Sequence, residues 1–132
     1  MGDHLLFVFA EDANPYITEV MSFLRQLDID CVTHTQLLKQ ARLGTTVISN
    51  LENMVISAKS VIIIATPKLK EDRYSHALID YAAEQGNLFS VILRSQGSVL
   101  VPPNFMRGGN FLIADPDPAK FAEQLRDKIF PL

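Results

Sequence analysis

The feature that most constrains this chain is the run Val61-Ile62-Ile63-Ile64-Ala65, four β-branched residues and an alanine with no polar side. A strand that shows one face to water alternates apolar and polar residues. A run without alternation fits a strand covered on both faces, as parallel strands flanked by helices are. The residues before it agree. Val47, Ile48, Leu51, Met54, Val55 and Ala58 keep to one face of a helix, which predicts an amphipathic helix over 46–58 with Thr45 or Thr46 as its cap. Pro67 has no amide proton to offer a ladder, so the strand ends at Thr66.

With 132 residues the chain suits one domain, and 48% hydrophobic content argues against disorder. A net charge of −3 gives no electrostatic footprint for nucleic acid or anionic lipid. Lys68, Lys70 and Arg73 come nearest to a basic cluster, but Glu71 and Asp72 interrupt it, as in a solvated loop. The apolar runs fall far short of the roughly 20 residues that span a bilayer, so no membrane insertion is expected. The start, Met-Gly-Asp-His, lacks the basic region of a secretory signal, and the single Cys31 cannot form an internal disulfide. A cytoplasmic location follows as the expectation. Cys31, within Ile-Asp-Cys-Val, reads as a packing residue rather than a reactive thiol.

Taken in order, the chain alternates strand and helix. A first strand over 5–10 leads to a helix reaching Asp28, with Asn14 as cap and Pro15 at the first helical position. Ile17, Val20, Met21, Leu24 and Leu27 give that helix its inner face. A weaker strand over 29–34 belongs near an edge, and a loop over 35–45 precedes the helix and strand described above. A charged connection over 68–73 leads to a helix over 74–85 stopped by Gly86, then a strand over 88–93. After a long loop over 95–109 come a strand over 110–114 and a helix over 119–130, capped within Asp115-Pro-Asp-Pro, with Phe121, Leu125 and Ile129 inward. Strict alternation with right-handed crossovers predicts an α/β fold. Its simplest form is a doubly wound, five-stranded parallel sheet in the flavodoxin-like order 2-1-3-4-5, with helices on both faces.

Several chemistries are missing their signatures. Neither a GxxxxGK[ST] nor a GxGxxG phosphate loop is present, nor a Gly-x-Ser-x-Gly elbow, and Ser57 and Ser60 suit capping or turn roles. His4, His34, His76 and Cys31 lack metal-ligand spacing, so no metal is expected. Glu11-Asp12 after the first strand resembles the acidic pair of response-regulator receiver domains. The third strand ends in Ile64-Ala65-Thr66, however, without the phosphate-accepting aspartate, and the pair reads instead as acids favoured by a helix dipole.

The order of motifs resembles that of the Toll/interleukin-1 receptor (TIR) domain family, over nearly the whole chain from Leu5 to Phe130. Leu5-Leu-Phe-Val-Phe-Ala-Glu-Asp resembles the family's first motif, a strand followed by acidic residues. Arg42-Leu43-Gly44-Thr45-Thr46-Val47 resembles the second, in the loop after the second strand, and Ser57-Ala-Lys-Ser-Val-Ile-Ile-Ile-Ala-Thr-Pro-Lys-Leu the third. Leu43 stands where many members have proline, and Lys39-Gln40 where they have Arg-Asp; Gly44 is retained.

Two modes of action follow from the resemblance. Non-enzymatic members act as scaffolds or adaptors in innate-immune signalling, by homotypic or heterotypic association with other TIR domains and with no cofactor. Here the implied contact residues are Leu37, Leu38, Arg42, Leu43 and Gly44, in a chain that would be one module of a longer protein. Leucines in such a loop either bury on assembly or fold back onto the domain. The NAD-cleaving members use a glutamate in the helix after the third strand, with NAD as substrate. The matching position is Leu78, four residues after Tyr74, and only a shift of two residues brings in a carboxylate, Asp80. The match therefore implies no catalytic residue, with Asp80 as the fallback. A doubly wound ligand-binding or regulatory domain outside the TIR family is the further alternative.

Overall fold

The run around Ile63 forms a six-residue strand, Ser60–Ala65, in which every residue is buried. Neighbours on either side explain why. In this computed structural model, which describes residues 4–33, 47–66, 68–69, 73–93 and 111–130, the strand lies at the middle of a parallel sheet. The strands are β1 (Leu5–Val8), β2 (Cys31–Thr33), β3 (Ser60–Ala65), β4 (Leu88–Leu93) and β5 (Phe111–Ala114), and they lie in the order β2-β1-β3-β4-β5. Leu5 pairs with both Cys31 and Ser60, Ile62 with Phe89, and Ile92 with Ile113, all parallel. The helices are α1 (Asn14–Gln26), α2 (Val47–Ser57), α3 (Arg73–Gln85) and α4 (Pro118–Ile129).

Alternate residues of β1 and β3 feed two separate cores. Leu5, Phe7, Ile62 and Ile64 pack with Ile17, Val20, Met21 and Leu24 of α1 and with Phe121, Ala122 and Leu125 of α4. On the other face, Leu6, Val8, Val61, Ile63 and Ala65 pack with Met54, Val55 and Ala58 of α2 and with Leu78, Ile79 and Ala82 of α3. Each of the larger side chains contributes about 1.5–3 kcal/mol on burial. The missing polar side of β3 is thus a consequence of helices on both faces. Tyr16 of α1 stacks on Phe121 of α4, with ring centroids 5.9 Å apart, and its hydroxyl donates to the Asp115 carbonyl.

Several boundaries differ from the sequence expectation. β1 stops at Val8, and a 3-10 turn over Glu11–Ala13 joins it to α1. Asn14 is the first residue of α1 rather than its cap; Ala13 holds the cap position with no side-chain bond, and Asn14 Oδ1 accepts from Thr18 Oγ1 at 3.2 Å. The helix ends two residues early because Asp28 adopts φ 63°, in the left-handed region, while Ile29 N donates to Leu24 O at 3.0 Å. β2 is shorter than expected and lies at the sheet edge. Arg73, placed in the charged connection by its sequence, opens α3, and Gly86 with φ +79° closes it. Asp117 caps α4, accepting from Ala119 N at 3.0 Å. The expected loops over 35–45 and 95–109, and the caps Thr45 and Thr46, lie outside the described residues.

Candidate functional site

In an open sheet of this kind the chain leaves β1 in one direction and β3 in the other, and ligands bind in the crevice beyond the carboxyl ends of those two strands. The described residues that meet there are 9–13 after β1 and Thr66, Lys68 and Leu69 after β3. Asp12 ties them together. Its Oδ1 accepts from Thr66 Oγ1 at 2.7 Å, and its Oδ2 accepts from the Lys68 backbone amide at 3.2 Å. Thr66 is fully buried, so its hydroxyl needs a protein partner, and the carboxylate supplies one. Glu11 pairs with the Lys68 ammonium above this contact. Both of those side chains are more than half exposed, so that pair contributes little to stability.

The clamp determines what the crevice can do. The start of α1 is where backbone amides would receive a phosphate in a nucleotide-binding member of this fold class. Here the turn leading into that helix carries two carboxylates, which oppose an anion. Asp12 is engaged through both oxygens, which suits holding two loops in register. Beside it, a cleft of about 420 Å³ runs along α1, lined by Phe9, Glu11, Asn14, Thr18, Arg25 and Thr33 among others. Arg25 Nη2 donates to the Cys31 carbonyl at 3.3 Å, which fixes the edge strand to the end of α1.

Other residues singled out by sequence fall away from the crevice. Cys31 is buried, its Sγ lies 3.6 Å from the Ile29 carbonyl, and burial pushes its thiol up to about 12 from an ordinary 9.0. Such a thiol is a packing group. Leu78 is fully buried in the core beneath α3. Asp80 is exposed on the same helix. It stands seven residues from the helix start, roughly 10 Å down the axis from the carboxyl edge at 1.5 Å per residue. Leu37, Leu38, Arg42, Leu43 and Gly44 lie outside the described residues. Among the described residues no group of three His, Cys, Asp or Glu side chains is placed to hold a metal, and no helix is long and apolar enough to cross a membrane. Ser57 donates locally to Met54 O and Ser60 donates across to Asn87 O, ahead of β4, both at 3.2 Å.

Sequence reasoning missed the Asp12 clamp. The signal was present: in a doubly wound sheet the first and third strands are neighbours, so the acids after one face the threonine that ends the other.

No protein-family model matches the chain, and no curated protein matches it. Solved structures do. The chain is similar to the TIR domains of the activated Roq1 resistosome, which directly recognises the pathogen effector XopQ, at a TM-score of 0.59 and 12% identity, covering 97% of this chain and 72% of that one. It is also similar to a diflavin flavoprotein A3 from Nostoc sp., at a TM-score of 0.55 and 11% identity, covering 96% of each chain. At these identities the likeness is one of fold.

Proposed function

We propose that this chain is a TIR-like interaction module, a scaffold or adaptor that acts by associating with itself or with other TIR domains. The observation that carries the reading is Leu78, sealed in the core at the position that matches the family's catalytic glutamate. A side chain there faces the sheet, where a carboxylate would reach neither solvent nor ligand. Asp80 is exposed but well below the carboxyl edge, which speaks against the NAD-cleaving alternative. The two acids at the start of α1 speak against a flavin phosphate in the position typical of flavodoxin-like folds. The likeness in fold to the Roq1 TIR domains supports the choice of family.

Association through the loop over 35–45, in the cytoplasm and within a longer innate-immune signalling protein, completes the proposal. Leu37, Leu38, Arg42 and Leu43 supply apolar and basic contact groups, and Gly44 permits a turn that a side chain would resist. Ile56, on the helix that follows in sequence, is 49% exposed and offers a further apolar contact group. Sedimentation velocity over a concentration series tests this. Leu43→Asp and Gly44→Ala are expected to weaken association while leaving the circular dichroism spectrum and melting curve in place. Unchanged association in both variants would move the interface away from this loop.

A further inference from the structure

At the opposite end of the sheet, a cleft of about 620 Å³ opens between the last turns of α1 and α4. That volume falls in the roughly 300–1,000 Å³ range of small-molecule sites. Its apolar lining is Ile29, Phe130 and Leu27, which is 37% exposed although Ile17, Val20, Met21 and Leu24 of the helix before it are buried. Three acids, Asp28, Asp30 and Asp127, line it as well. Arg126, which also lines it, donates its Nε to Asp127 at 3.1 Å.

The helix ends point to the charge of an occupant. Both helices present their carboxyl ends here, with Leu27 and Phe130 at the cap positions, so partial negative charge on the final carbonyls adds to the acids. The Phe130 ring already has a cation of the chain itself beside it, with Lys59 Nζ 5.3 Å from its centre, so a second cationic head belongs at the carboxylates and not on the ring. An anion entering this cleft meets Asp28, Asp30, an Asp127 already paired with Arg126, and two helix carboxyl ends, which together outweigh the nearby cations Arg126 and Lys59. A neutral apolar molecule gains only the contacts with Leu27, Ile29 and Phe130. A molecule with a cationic head and an apolar stem uses both.

We propose that this cleft binds a small organic cation, an ammonium or guanidinium group carried on a short apolar stem. The head sits among Asp28, Asp30 and Asp127, and the stem lies on Leu27, Ile29 and Phe130. The proposal is independent of how the domain associates.

Titration of the full chain with hexylammonium chloride, followed by two-dimensional amide NMR, tests it against 1-hexanol and sodium hexanoate at matched concentration and ionic strength. Saturable shifts confined to amides 27–30 and 126–130 are expected with hexylammonium, and far smaller shifts with the other two. Asp28→Asn and Asp127→Asn should each weaken binding roughly twofold to fivefold, as expected for exposed charge pairs. Asparagine tolerates the left-handed backbone of residue 28, so the first variant keeps its fold. Three results would overturn the proposal: no saturable shift at these amides, equal response to hexanol, or unchanged affinity in the double variant.

Discussion

Asp12 and Cys31 show how one side chain's surroundings decide its role. Asp12 stands where receiver-like chemistry would want a metal ligand, yet it is spent on a buried threonine and a backbone amide. Removing it leaves the Thr66 hydroxyl buried without that acceptor, so Asp12→Ala should destabilise the fold by about 1–3 kcal/mol in urea unfolding. Replacing both partners, as in Asp12→Ala with Thr66→Val, should cost less than the sum of the single changes; strict additivity would show the two residues to be uncoupled. Cys31 yields a pH prediction. Its folded pKa, raised by burial to about 12, lies above the 9.0 of an exposed thiol, so the neutral thiol is the form the fold prefers. The stabilisation is complete below pH 9.0 and is lost as pH rises through about 12, because the unfolded chain ionises first. Tyr16, also raised by burial and by the nearby Asp115 and Asp117, acts in the same direction from pH 10.0 upward. Cys31→Ala should therefore flatten the alkaline decline of the urea midpoint, leaving the part that belongs to Tyr16.

Among the elements, the helix ends separate what sequence reveals from what it hides. Gly86 was legible as the stop of α3, and its φ of +79° shows why glycine stands there. The equivalent turn after α1 holds an aspartate at φ 63°, and no glycine marked it, so the helix was read two residues too long. These two positions predict opposite effects. Nothing lies within 4 Å of a Cβ placed at Gly86, so Gly86→Ala should cost roughly 1 kcal/mol from backbone conformation alone. Asp28→Gly should raise stability by a similar amount, about 1 kcal/mol. Urea midpoints for the pair check both signs. The central strand and most of the inner faces of α1 and α4 were legible because helical spacing and an unbroken apolar run have few other uses; Leu27, expected on the inner face of α1, is instead 37% exposed at the cap position after the helix ends at Gln26. The Asn14 cap failed for a local reason: a 3-10 turn, carrying no distinctive signal, moved the start of α1 forward by one residue.

For the whole molecule, the parallel sheet and its two helical layers follow from alternation, since each buried strand must be covered on both faces. Function is less legible at this scale, because one architecture serves a TIR resistosome and a flavoprotein with similar agreement in fold. What separates the readings is local: a leucine in the core at residue 78, and carboxylates at the turn where a phosphate would bind. The proposed contact segment over 35–45 was read from residue types and family resemblance, and its residues lie outside those described. The most direct measurement is nicotinamide release from NAD by the purified chain over rising protein concentration, with light scattering recorded on the same samples. The account predicts scattering that grows with concentration and no release above the buffer rate. Release that rises with assembly and vanishes in Asp80→Ala would contradict it and make the chain an enzyme.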